Sequence, residues 1–250
     1  MKVAFLLLSC DKYYDMLSPF ASLFNRFWPD CPFDKYAATN MIPFENDGFT
    51  PILMGADISW SAGLSTALDI LGQSYDYVFV TLEDLFLCAP VDSGHVKHII
   101  DDFIQRDGNY IRLYGHFAPS VKVTDDFGIL EKGMPYRQNC VYAIWKIATL
   151  KSILHKDENA WDFEKKAVYR GYQYDGFYAV YKSQIKILNT LIKGKWVPSD
   201  YRRTCRLLPG FQTSRPRMNR FEELRLNLKR FLFYLVFILI PCKYRPHFIK

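Results

Sequence analysis

Tyr75-Asp76-Tyr77-Val78-Phe79-Val80-Thr81-Leu82-Glu83-Asp84 is the stretch on which the reading of this 250-residue chain turns. An apolar run with no polar face predicts a strand over Asp76–Leu82 that is covered on both sides. It ends directly in two adjacent carboxylates. Upstream, Ser59–Leu71 reads as a helix, with Ser59 as its cap and Leu64, Leu68 and Leu71 on one face. Further back, Val3–Leu8 is a second continuous apolar run and ends at Ser9-Cys10-Asp11. Tyr13 to Phe27 follows with helical spacing and is closed by Pro29 and Pro32.

Downstream, His95–Arg106 reads as an amphipathic helix and Asn109–Leu113 as a strand. Residues 114–135 look irregular, and Cys140–Trp145 reads as a strand or a strand-helix junction. Ala148–His155 and Trp161–Tyr169 read as helices. Tyr178–Tyr181, Ile185–Ile187 and Lys195–Val197 suggest late strands. Lys35–Asn40 is a candidate second strand, and residues 43–58 read as loop. Strands alternating with helices predict an α/β domain with a mainly parallel sheet flanked by helices. Ligands of such sheets sit beyond the carboxyl ends of the strands. Asp11 and the Glu83-Asp84 pair occupy that position.

Composition narrows the class. Half of the chain is apolar and 17% is aromatic, enough for a substantial core. The six cysteines form no C-x-x-C pair, so neither a zinc site nor a disulfide framework is expected. The Gly-rich phosphate loop, G-x-S-x-G and H-E-x-x-H are all missing, which disfavours P-loop enzymes, serine hydrolases and zinc proteases. The start could pass for a short signal peptide. Its apolar run of only six residues and the lack of a small-residue cleavage site favour a buried strand instead.

Several side chains are candidates for chemistry. Glu83 and Asp84 suit a hard divalent cation, Mg²⁺ or Mn²⁺, shared with substrate phosphates. The plainer alternative is a solvated turn. Asp57 could approach a nucleobase or sugar, or simply precede a helix cap. The planar fork of Arg137 suits a phosphate, or a surface acid. Trp161 and Glu164 fall at i and i+3 on a helix, so an aromatic face and a potential general base share one side. An ordinary amphipathic helix has the same pattern. His95 and His98 read as surface residues, and His116 is a candidate only by its place in the irregular segment.

The net charge of +6 is unevenly spread. Residues 1–201 carry 20 Lys+Arg against 24 Asp+Glu, whereas residues 202–250 carry 12 against two. The tail also holds Phe231–Cys242, twelve residues without a charge. As a helix that block spans ~18 Å at 1.5 Å per residue, short of a hydrocarbon core of ~30 Å. A basic, apolar helix of this kind is expected to dip into one leaflet of an anionic membrane through residues 219–250. Packing in the core or in a dimer interface is the alternative. Nucleic acid is not expected as a partner, because the aromatics are not interleaved with the basic residues.

Taken in order, these segments resemble the GT-A glycosyltransferases of bacterial surface-polysaccharide assembly (capsule and O-antigen type), over roughly residues 1–200. Val3–Asp11 looks like the first strand and its nucleotide-contacting end, and Asp57-Ile58-Ser59-Trp60-Ser61 like the segment before the metal strand. Tyr75–Phe86 looks like the strand that ends in the family's acidic motif. Tyr136–Trp145 and Trp161–Glu164 look like acceptor-side segments. The usual Asp-x-Asp is replaced by Glu83-Asp84-Leu85.

The resemblance implies a GT-A-like, Rossmann-like domain over 1–200, which leaves the basic membrane-associating tail, read from its charge, over 201–250. It also implies a nucleotide-sugar donor, usually a UDP-sugar, held through Mg²⁺ or Mn²⁺ on Glu83 and Asp84. Ser9, Asp11, Asp57, Trp60 and Arg137 are then donor-side residues. Trp161 stacks on the acceptor, and Glu164 is the base for an inverting transfer to a polyprenyl-linked saccharide. The expected place is the cytoplasmic face of the plasma membrane. Two alternatives remain, a nucleotidyltransferase and a non-catalytic membrane-bound scaffold. The lack of glycine in Ser9–Tyr13 counts against the first.

Overall fold

The structure is a computed structural model that describes residues 1–45, 48–115, 118–132, 134, 136–239 and 244. The first half runs β1 (Val3–Leu8), α1 (Leu17–Phe27), β2 (Asp34–Thr39), β3 (Thr50–Leu53), α2 (Trp60–Leu71), β4 (Tyr77–Leu82), β5 (Leu85–Leu87) and α3 (Ser93–Gln105). The second half continues with β6 (Tyr110–Arg112), β7 (Val121–Lys122), β8 (Phe127–Ile129), β9 (Ala143–Lys146), α4 (Ile147–Ile153), α5 (Ala160–Arg170), β10 (Phe177–Val180), β11 (Ile187–Asn189), β12 (Leu191–Ile192), β13 (Lys195–Trp196), α6 (Pro198–Leu207) and α7 (Arg220–Leu239). His116 and residues 240–243 and 245–250 of the expected membrane segment lie outside the described residues.

Nine strands form the central sheet in the order β3-β2-β1-β4-β9-β6-β10-β8-β7. β1, β2, β3 and β4 are mutually parallel neighbours, and β6 and β10 pair in parallel. β9 lies antiparallel between β4 and β6, and β8 runs antiparallel to β10. The expected mixed α/β architecture with a mostly parallel sheet is therefore what the chain adopts.

Alternation along β1 and β4 explains why both read as continuous apolar runs. Phe5, Leu7, Tyr77 and Phe79 face one core, shared with α1 and α3. Ala4, Leu6, Val78 and Val80 face the other, shared with α2, α4 and α5. The first core is strongly aromatic. Phe5 sits 4.7 Å from Phe24 and 5.3 Å from Phe79 between ring centroids, and Trp28 meets Phe79 edge-on at 5.7 Å. Removing such a ring costs about 3–5 kcal/mol.

Some expectations are corrected. Thr50–Leu53, read as loop, is a parallel edge strand on β2. Pro51 within it is tolerated because an edge strand has one unpaired side. Residues 114–135 contain the short antiparallel pair β7–β8. The late strand expected at Ile185–Ile187 is shifted to Ile187–Asn189, where it pairs with β5.

The boundary expected at 200/201 falls inside α6. Chain beyond it packs on the body: Phe211 meets Trp196 edge-on, and Arg26 donates to the Leu207 carbonyl at 2.7 Å. The terminal helix begins at Arg220, well before the charge-free block.

Candidate functional site

The acidic turn between β4 and β5 is held from two directions. Thr190 donates to the Asp84 carbonyl through both its amide and its hydroxyl, each at 2.9 Å. The Tyr142 hydroxyl donates to the Leu85 carbonyl at 3.0 Å. Tyr142 adopts φ +44°, a left-handed conformation that costs a bulky residue energy and persists only where its surroundings impose it. Two separate parts of the chain thus hold the turn that carries Glu83 and Asp84.

Glu83 is buried at 9% exposure, and Oδ1 of Asp84 is enclosed without a hydrogen-bond partner among the described residues. Burial raises both carboxyls above the usual range, and for Glu83 the neighbouring Asp84 charge adds to the rise. The positive charge of Arg215 and a hydrogen bond from Ser9 work in the opposite direction on Glu83.

The register Leu8↔Leu82 brings the end of β1 beside this turn. Cys10 and Tyr13 are both pushed upward, first by burial and then by the Glu83 charge. At the rim, Lys12 pairs with Asp57 at 2.9 Å, with both side chains exposed. Ser9, Asp57, Glu83 and Asp84, expected to act together, are therefore gathered around one end of the sheet.

Asp11 has a different task. Its carboxylate accepts the amides of Asn40 at 3.0 Å, Met41 at 3.0 Å and Ile42 at 3.3 Å. Its own amide donates to Oδ1 of Asn40 at 3.2 Å. These bonds tie the end of β1 to the end of β2 and occupy the carboxylate with backbone.

Arg137 is likewise committed to structure. It is 2% exposed and donates to the carbonyls of Leu130 (3.0 Å), Gly171 (2.8 Å) and Tyr174 (3.1 Å). Its guanidinium also lies 3.9 Å over the Phe177 ring. The sequence reading offered it a phosphate or a surface acid; the folded chain gives it buried carbonyls instead. Trp60 packs its ring on Phe163 of α5 at 5.5 Å.

A second group lies at the same edge. Pairing of Val80 with Ala143 and of Ala143 with Arg112 puts Arg112 two strands from β4, about 10 Å away. Arg112 is fully buried and donates to the Tyr136 carbonyl at 3.2 Å. Glu164 of α5 is raised to about 7 by burial, partly offset by the Arg112 charge. Tyr110 and Asn139 cross-link beside it, with the Tyr110 hydroxyl 3.2 Å from Oδ1 of Asn139. Asn159 caps α5 by accepting the Asp162 amide at 2.9 Å, which fixes the helix start. Trp161 stands 64% exposed on the first turn.

No family model matches the chain, and no curated protein matches it. Solved structures do. Superposition on the UTP-bound UGPase from Acinetobacter baumannii covers 92% of this chain and 99% of that one, with a TM-score of 0.50 at 8% identity. The likeness is one of fold. Weaker likenesses, both with a TM-score of 0.45, are to A197 from STIV and to residues 1–349 of S. aureus TarS. A197 is 12% identical, covering 79% of this chain and 90% of that one. The TarS fragment is 11% identical, covering 83% and 64%. The chain spans only 39% of the longer TarS structure.

Two features escaped the sequence reading. Arg112 is one residue of a short strand, with no pattern to mark it as a buried cation whose charge acts on Glu164. Arg215 belongs to a basic tail and reaches Asp15 and Tyr13, in the segment after β1, only through the folding of the whole chain.

Do the residues present fit Mg²⁺ or Mn²⁺? Among the described residues no group of three His, Cys, Asp or Glu side chains converges, so a closed protein cage does not exist. Two acids with an unmet oxygen on Asp84 do fit a cation completed by substrate phosphates, the usual arrangement for Mg²⁺.

Proposed function

We propose that this chain is a glycosyltransferase that moves a sugar from a nucleotide-diphosphate donor, UDP-sugars first, to a lipid-linked saccharide acceptor in surface-polysaccharide assembly. The observation that carries the reading is the buried acidic turn at the carboxyl end of β4, with an oxygen of Asp84 left without a partner among the described residues. Such an oxygen is costly unless a cation or donor group meets it.

Glu83 and Asp84 would hold Mg²⁺ or Mn²⁺ at the donor diphosphate, where the cation supplies charge neutralisation for the leaving group. Ser9 and Asp57 border the same end of the sheet and are assigned to the donor. Glu164 takes the proton from the acceptor hydroxyl. Its carboxyl, raised to about 7, is then ionised over a useful part of the neutral range, and the Arg112 charge favours that ionised form. The deprotonated oxygen attacks the anomeric carbon on the side opposite the diphosphate, so configuration is inverted. Trp161 offers its exposed face to the acceptor sugar. Asp11 and Arg137 shape the site without touching the substrate.

The tail is assigned to an anionic membrane, at the cytoplasmic face of the plasma membrane. Phe221, Leu224, Leu228, Phe231, Leu235 and Leu239 of α7 are all exposed, at spacings of three and four residues. Arg220, Arg225, Lys229 and Arg230 lie exposed on the same helix. No helix of the described residues is long and apolar enough to cross a membrane, so this one is assigned to the interface.

A second reading, nucleotidyl transfer, is favoured by the fold likeness to a UTP-bound UGPase. The loop after β1, Ser9-Cys10-Asp11-Lys12-Tyr13, lacks the glycines that such chemistry uses to approach a triphosphate, and Asp11 there is filled with backbone amides.

One screen separates the two. Purified protein is incubated with UDP-, GDP- and dTDP-sugars plus Mn²⁺, and separately with UTP plus sugar 1-phosphates. Slow release of a nucleoside diphosphate, lost in E83Q and D84N, supports glycosyl transfer. Release of pyrophosphate only in the second mixture overturns it in favour of nucleotidyl transfer. No turnover and no binding in either mixture leaves the scaffold reading.

A further inference from the structure

Arg215 comes to the acidic turn from the far end of the chain. Its Nε donates to Oδ2 of Asp15 at 2.7 Å and its Nη2 to Oδ1 at 2.6 Å. Nη2 also meets the Lys12 carbonyl. The guanidinium lies 4.3 Å over the Tyr13 ring, and the side chain is 15% exposed. Nη1 takes no hydrogen bond among the described residues.

The backbone around Arg215 is secured without this side chain. Trp196 donates to the Pro216 carbonyl at 2.9 Å, and the Met218 amide returns to the Trp196 carbonyl at 3.0 Å. The Thr213 hydroxyl accepts both the Arg215 amide at 3.1 Å and the Trp196 indole at 3.2 Å. The structure therefore places a guanidinium at this spot through a strap that does not need the guanidinium to hold it.

The location is acidic. Asp15 pairs with Arg215, and the segment it covers follows β1, whose end lies beside the Glu83-Asp84 turn through the register Leu8↔Leu82; Lys12, the other cation of that segment, is paired with Asp57 and is 77% exposed. A diphosphate entering here adds more negative charge. Arg215 is the partly buried cation that can meet it, and a planar fork with a free Nη1 suits two phosphate oxygens.

We infer that Arg215 is a diphosphate-binding residue of the donor site, parked on Asp15 until a nucleoside diphosphate takes over part of its hydrogen bonding. This rests on the nucleotide-sugar reading above.

The test is equilibrium binding of UDP, UMP and uridine to the full chain and to R215Q and D15N, with thermal melts to check folding. R215Q is expected to lose tenfold or more in UDP affinity while its uridine affinity stays within twofold. D15N, which frees the arginine, is expected to keep or gain UDP affinity. Equal UDP binding by R215Q and the unmodified chain overturns the role of Arg215 alone. An equal UDP loss in D15N and R215Q also overturns it, because the pair would then be a structural clasp. If the unmodified chain binds neither UDP nor uridine, the nucleotide-sugar reading falls first and this inference with it.

Discussion

Phe233 of α7 stands edge-on to Tyr136, with ring centroids 5.7 Å apart and planes at 80°. Burial raises the Tyr136 phenol, and the Glu164 charge adds to the rise. The helix assigned to a membrane is thus seated beside the residues assigned to the acceptor. An acceptor carried on a lipid would reach Glu164 along the surface that α7 occupies.

This arrangement predicts that the exposed stripe of α7 binds vesicles and does not build the donor site. Replacing Leu224, Leu228, Phe231 and Leu235 together by Ser should lower partitioning onto phosphatidylglycerol vesicles by ~10⁴-fold or more, since each inserted side chain contributes about 1.5–3 kcal/mol. UDP affinity should be unchanged. Co-sedimentation that is the same for both proteins would remove the membrane from the account.

Glu164 sets a pH dependence. A base works only when deprotonated, and burial has raised this carboxyl to about 7. Transferase kcat/KM should therefore climb as pH rises towards 7 and level off above it. Glu164→Gln should abolish that limb and lower turnover by about 10²–10⁴-fold, with UDP affinity retained. A variant that keeps both the limb and the rate would take proton transfer away from this residue.

For Arg137 the prediction concerns stability. Arg137→Ala strands three buried carbonyls and removes the cation from over Phe177, at a cost of about 3 kcal/mol or more. Urea unfolding should show it. Any folded fraction should bind UDP with the affinity of the unmodified chain. A selective loss of UDP affinity without a stability change would return Arg137 to the donor site.

Asp11→Ala should loosen one corner. The carboxylate satisfies three consecutive amides, as a helix cap does, and its loss should cost about 1–2 kcal/mol. Hydrogen exchange at Asn40, Met41 and Ile42 should accelerate, while amides in β4 keep their protection. Equal protection at the three amides would mean that other contacts hold this corner.

Much of the framework was legible beforehand, and particular residues explain which parts. β1 and β4 were plain because strands buried on both faces must be apolar at every position, as Val78, Phe79 and Val80 are. α2 was marked by its cap: Ser59 accepts the Ala62 amide at 3.0 Å, as its place before the apolar stripe implied. β3 was hidden by Pro51, and β7 and β8 are too short to display a period. The domain limit at 200 was drawn from a change in charge, but charge reports on surface. Trp196 and Phe211 pack across that limit regardless.

The candidate site divides the same way. Acids at the end of β4 could be found from order along the chain, because the strand that carries them announces itself. The conversion of Arg137 from a phosphate candidate to a brace could not.

What the amino-acid order determined by itself is the local part: which runs must be buried, where helices begin, and which acids end a strand. What the tertiary structure alone decided is the insertion of β9 between β4 and β6, the burial of Arg112 where its charge acts on Glu164, and the closing of Arg215 onto Asp15 from 200 positions away. Local elements follow from periodic burial, which leaves a mark every two or four residues. Long-range pairs depend on the path of the whole chain and on which charges are left inside once water is removed, and neither leaves a periodic trace.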